Sequence, residues 1–110
     1  MTRPPLDLVP GTLDLLVLRT LAWEPMHGYA IAQFVKARTE GSIVIESAAL
    51  YQALHRLERR KLVRASWGLT DTNRRARFYT ITAAGRTALK SQAADLRAYV
   101  TALYRVLDVR

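Results

Sequence analysis

Leu50, Leu54 and Leu57 recur at i, i+4 and i+7, with Ala53 beside them, in the stretch SAALYQALHRLERRKLV from Ser47 to Val63. The spacing puts these apolar side chains on one face of a helix, which must then lie on a core. Ser47 is placed to cap it. Two β-rich runs follow at once, LVRASWGLT and RARFYTIT, separated by the turn formers DTNR, so a hairpin is expected directly behind the helix. Its strands carry Trp67, Phe78 and Ile81. An amphipathic helix that feeds straight into a projecting hairpin leaves few architectures open.

The rest of the chain narrows them. Residues 1–11 hold three prolines and a glycine and read as an arm. Thr12 is a good N-cap and Asp14 sits in the first turn of the helix that follows, where the dipole favours an anion. In LDLLVLRTLAW, Leu13, Leu16, Val17 and Leu21 have helical spacing, but the segment is apolar on more than one side. Pro25 and Gly28 end it. YAIAQFVKART places Ile31, Phe34 and Val35 on one face and Gln33, Lys36 and Arg38 on the other, a second short helix closed by Gly41. The β-branched SIVIE is expected to pair at a sheet edge. Thr82 caps a last helix, in which Leu89, Ala93, Leu96, Val100, Leu103 and Leu107 step by alternating fours and threes. This heptad seam favours helix pairing over simple intradomain packing. The fold class expected is mainly α with a small β-hairpin wing: a winged helix-turn-helix over residues 1–82 that binds DNA, and a long C-terminal dimerisation helix over 83–110.

Charge points to the partner. The net charge is +8, and between His55 and Arg77 eight basic residues face two acids, Glu58 and Asp71. A concentration of this kind suits a polyanion. On the third helix, Gln52, Arg56 and Arg59 lie opposite the leucines, while Ala48, Ala49, Tyr51 and His55 lie around its exposed start. Small residues there allow close approach, and the longer side chains supply hydrogen-bond donors, the chemistry of a helix in the DNA major groove. Tyr51 fits that role, a core role, or both. Asn73, Arg74, Arg75 and Arg77 at and beyond the wing tip are expected to meet phosphate. The DNA-binding set expected is therefore Ser47, Ala48, Tyr51, Gln52, His55, Arg56, Asn73, Arg74, Arg75 and Arg77.

Other chemistries find little support. Cysteine is absent, which excludes disulfides and thiol nucleophiles. His27 and His55 are far apart with no carboxylate cluster nearby, so no metal and no cofactor is expected. There is neither a glycine-rich phosphate loop nor a carboxylate pair in reach of a histidine, and an enzyme is not expected. No apolar run approaches the roughly 20 residues that span a bilayer, and the first residues lack a signal-peptide core, so a cytoplasmic protein without membrane contact is expected. A winged-helix module that binds proteins shares the fold, but has no need of the localised positive charge.

Four segments together resemble the PadR family of bacterial transcriptional regulators, in its compact form with one C-terminal helix. The likeness runs over residues 8–107: GTLDLLVLRTL in the first helix, HGYAIAQFV in the second, LYQALHRLERRKLV in the third, and RRARFYTITAAG closing the wing. Gln52 stands where the family commonly has proline, and Lys61 where it has glycine. The resemblance implies a homodimeric repressor on an inverted-repeat operator in double-stranded DNA, with the final helix exchanged against the partner's first and last helices. Leu13, Val17, Leu89, Ala93, Leu96, Val100, Leu103 and Leu107 form the dimerisation set expected. The resemblance also implies release by a small phenolic or hydrophobic effector, for which Tyr99 and Tyr104, with Leu13, Val17 and Leu103, are the candidate lining.

Overall fold

The computed structural model describes residues 4–109. Residues 1–3 and Arg110, which the expected domain bounds include, lie outside the described residues. Helix α1 (Thr12–Trp23) is followed by strand β1 (Met26–His27), α2 (Gly28–Arg38), α3 (Ser47–Arg59), the hairpin strands β2 (Val63–Leu69) and β3 (Arg75–Ile81), and α4 (Ala83–Leu107). The sheet is antiparallel in the order β1-β3-β2. This is a winged helix-turn-helix with a long terminal helix.

The leucine face of α3 is used as its spacing demands: Leu50, Ala53, Leu54 and Leu57 are buried against Val17, Leu18 and Leu21 of α1, Ile31 and Val35 of α2, and Val63, Tyr79 and Ile81 of the sheet. Burial of each large side chain contributes about 1.5–3 kcal/mol. Helix α1 is apolar on more than one side because two neighbours lie on it: Leu15, Val17, Leu18 and Leu21 are buried, and α4 packs along it as well.

Two local expectations change. The edge of β3 away from β2 is taken by Met26 and His27, which pair with Tyr79 and Phe78. SIVIE forms no strand: Ile45 fills the core instead, and the Ile43 N–H is bound by the Thr39 side-chain oxygen at 3.0 Å, which removes it from any ladder. Capping also shifts at two of three helices. Thr12 and Ser47 are the first helical residues, preceded by Gly11 at φ 89° and by extended Glu46, and neither helix has a side-chain cap.

At Thr82 the expected cap is present and does more. Its hydroxyl oxygen accepts the Gly85 N–H at 3.0 Å and donates to the Lys61 carbonyl at 2.8 Å, while the Thr82 N–H donates to the Leu62 carbonyl at 3.0 Å. Gly85 is buried so tightly here that a Cβ would collide with the Leu62 carbonyl oxygen. The turn after α3 and the start of α4 are therefore one fastening. Lys61 takes the left-handed conformation in that turn, φ 60°, which glycine adopts more readily.

Candidate nucleic-acid interface

Helix α3 presents Ala48, Gln52, His55 and Arg59 outward, away from its buried leucines. Its flanks are held by ion pairs to the two neighbouring elements. On one side Arg56 donates to Asp14 of α1, Nη2 to Oδ1 at 2.7 Å and Nε to Oδ2 at 3.4 Å. That hydrogen bond raises the arginine's pKa above its ordinary value, against the opposing effect of desolvation. On the other side Arg77 of β3 donates to Glu58 at 3.0 Å. Both acids were legible only as local features, Asp14 as a helix-dipole residue and Glu58 as a minority charge. Each is in fact the partner of an expected DNA contact.

Arg77 lies on β3 opposite Trp67, two pairs in from the tip, and is turned toward α3. Next to it the Tyr79 hydroxyl is pushed above the usual phenol range by burial, with the Arg77 cation pulling the other way. The tip is closed by Thr70: its N–H donates to the Arg74 carbonyl at 2.8 Å, its carbonyl accepts from Asn73 at 2.9 Å, and its side-chain oxygen accepts the Arg74 N–H at 3.1 Å. Asn73 occupies the left-handed position of this turn, φ 63°, a conformation asparagine tolerates better than most residues. Its identity is thus explained by the turn. Arg74 projects from the tip, and the Arg75 guanidinium lies 4.6 Å from the centre of the Trp67 ring.

Tyr51 packs part of its ring and leaves the rest open. Its ring lies against Gly28 at the start of α2, where a Cβ would approach the hydroxyl oxygen to 3.1 Å, yet the residue is 55% exposed. Beside it, His27 caps α2, Nδ1 accepting the Ala30 N–H at 3.3 Å. These residues and the wing enclose an open groove of about 1040 Å³, lined by Tyr29, Tyr51, Trp67, Arg74, Arg75 and Arg77 among others. Tyr29, Trp67 and His27 were not expected here. His27 and Tyr29 are near neighbours at the start of α2, and their meeting with Trp67 of β2 is what no local spacing reveals.

The expected dimerisation residues do not share one surface. Val17 is fully buried in its own chain's core and has no surface left to offer a partner, a correction to its expected place at the interface. A helix apolar on more than one side gives no sign of which apolar face turns inward. Leu13, Leu89 and Ala93 are half-buried, and Leu89 packs on the core. Leu96, Val100, Leu103 and Leu107 form an exposed stripe on the outer half of α4. Tyr99 and Tyr104 are exposed too, and at 100° per residue they stand on opposite flanks of that stripe, about 140° apart. Among the described residues no group of acids and histidines is placed to hold a metal, and no helix is long and apolar enough to cross a membrane.

A winged helix-turn-helix with a basic wing is an architecture on which DNA-binding regulators are built, and likeness to known proteins gives the family. The PadR-like transcriptional regulator family matches residues 17–91, most of the chain, and the protein belongs to that family. A transcriptional regulator from Clostridium thermocellum superposes with a TM-score of 0.79 at 25% identity, covering 86% of this chain and 89% of its own. A PadR family regulator from Eggerthella lenta gives 0.75 at 29% identity, over 91% and 85%. In sequence, a protein of Lysinibacillus sphaericus described as uncharacterised is 32% identical over 83 residues, 76% of each chain. Members of this family are transcriptional regulators and not enzymes.

Proposed function

We propose that the protein is a sequence-specific DNA-binding repressor that acts as a homodimer on an inverted-repeat operator. The observation that carries the reading is the shared face of α3 and the wing: Ala48, Gln52, His55 and Arg59 point outward between Arg56 and Arg77, with Arg74 and Arg75 beyond them. Ser47 and Ala48 at the helix start leave room for close approach to base edges. Asn73 shapes the tip that presents Arg74 to phosphate. The exposed stripe from Leu96 to Leu107 supports residues 83–110 as the dimerisation helix and 1–82 as the DNA-binding part. Tyr99 and Tyr104, on either flank of the stripe, are the proposed contacts for a small phenolic or hydrophobic effector. A cytoplasmic location follows from the DNA partner.

Binding to operator and random duplexes, measured over a range of salt, tests this reading. Neutralising Arg74 and Arg75 together should make the slope of log K against log salt shallower by about 0.9 for each phosphate left without its cation. Gln52→Ala should instead narrow the preference for operator over random DNA, by about 1–3 kcal/mol for each base edge it reads. Absence of duplex binding at low salt would leave the winged-helix interaction module as the better reading.

A further inference from the structure

The groove between α2, α3 and the wing has more aromatic surface than a duplex can use. Tyr29 is 69% exposed, Trp67 61% and Tyr51 more than half, and all three line it. They come from the start of α2, from β2 and from α3, so no single helix face or strand accounts for their meeting. Around them stand Arg74, Arg75 and Arg77 against the lone acid Asp71. The lining therefore combines flat apolar rings with an excess of positive charge.

In a duplex the faces of every base are covered by neighbouring bases, and what the outside offers is base edges, sugar and phosphate. Phosphate suits the arginines and the tyrosine hydroxyls, but the face of an exposed indole gains nothing from it. An unpaired strand offers both partners at once, a free π-face on each base and a phosphate between successive bases. The groove is an open one and not an enclosed cavity, so a chain can lie in it. Arg75, stacked on Trp67, holds that ring in place and leaves a cation beside it for the phosphate.

We infer that this groove binds a short segment of single-stranded nucleic acid, with bases stacked on Trp67 and Tyr29 and the backbone following Arg74 and Arg75. Binding at this site does not depend on the operator reading above, and the two fail separately. Duplex binding without strand binding removes this inference alone, and strand binding without duplex preference removes the other alone.

The test is fluorescence anisotropy of the full chain with a labelled twelve-residue oligothymidine and, in parallel, a random duplex. Trp67→Ala and Tyr29→Ala should each weaken oligothymidine binding by roughly 5- to 150-fold, the loss of one stacking platform, and weaken duplex binding by clearly less. Trp67→Phe keeps a ring and should retain most of the strand affinity. Thermal melts check that each variant is folded. The inference is overturned if oligothymidine does not bind, if the alanine variants weaken strand and duplex equally, or if Trp67→Phe is as defective as Trp67→Ala. Thymidine monophosphate is the remaining arm. Displacement of the oligomer at equal nucleotide concentration would make the site a mononucleotide pocket and overturn the strand as its occupant.

Discussion

The two halves of α4 carry one seam and meet different fates. In the first half Gly85 is buried, Ala88 and Leu89 pack on the core, and Thr82 fastens the helix to the end of α3. In the second half Leu96, Val100, Leu103 and Leu107 continue the same alternating steps, but their own chain does not cover them. Periodicity reports that a face is apolar; it does not say who covers it. The first half is held by close backbone approach and hydrogen bonds, features of the turn it meets, and the second half has only its side chains to offer.

The largest effect should come from the uncovered half. Leu96→Asp together with Leu103→Asp puts two charges in the stripe, and a dimer built on it should dissociate completely by light scattering, while the fold of the monomer stays intact. A variant that stays dimeric would place the interface elsewhere and break the contrast. Gly85→Ala tests the covered half: its Cβ meets the Leu62 backbone, which cannot move aside without disturbing the end of α3, so denaturant titration should show a loss of about 3 kcal/mol. Thr82→Ala removes a cap and the bond to Lys61, a smaller loss of about 1–2 kcal/mol by the same measurement. Smallest, and opposite in sign, Lys61→Gly should relieve the left-handed residue and raise stability by about 0.5–1 kcal/mol, after allowance for the extra freedom of glycine in the unfolded chain.

Much of the fold was legible because it is local. Leu50, Leu54 and Leu57 declare α3 without help from the rest of the molecule, and DTNR between two β-rich runs declares the wing. The failures are equally physical. Met26 and His27 make a two-residue strand, too short for any alternation to register, and it exists only because β3 offers an edge. Ile43 and Ile45 have strand-like side chains, but the core needed one of them more than a sheet did. At the site, the chemistry of Arg56 and Arg77 depends on acids 42 and 19 residues away. Charge counting finds the arginines and misses the pairing. Similarly, the aromatic groove is assembled from residues 29, 51 and 67, which become neighbours only once the hairpin lies beside α2.

The fastening at Thr82 also has a mechanical meaning. Helix α4 has 25 residues, about 37 Å at 1.5 Å per residue, and Thr82 ties its start by hydrogen bonds to the turn that follows α3. It is a rigid arm pivoted beside the reading head. On an arm of that length a tilt of about 5° moves the far end by roughly 3 Å, close to the rise of one base pair, so in the proposed dimer a modest wedge at the tips changes the register of the two heads along the DNA. The stiffness of this fastening, where Thr82 binds Lys61, Leu62 and Gly85, sets how much of that motion is transmitted.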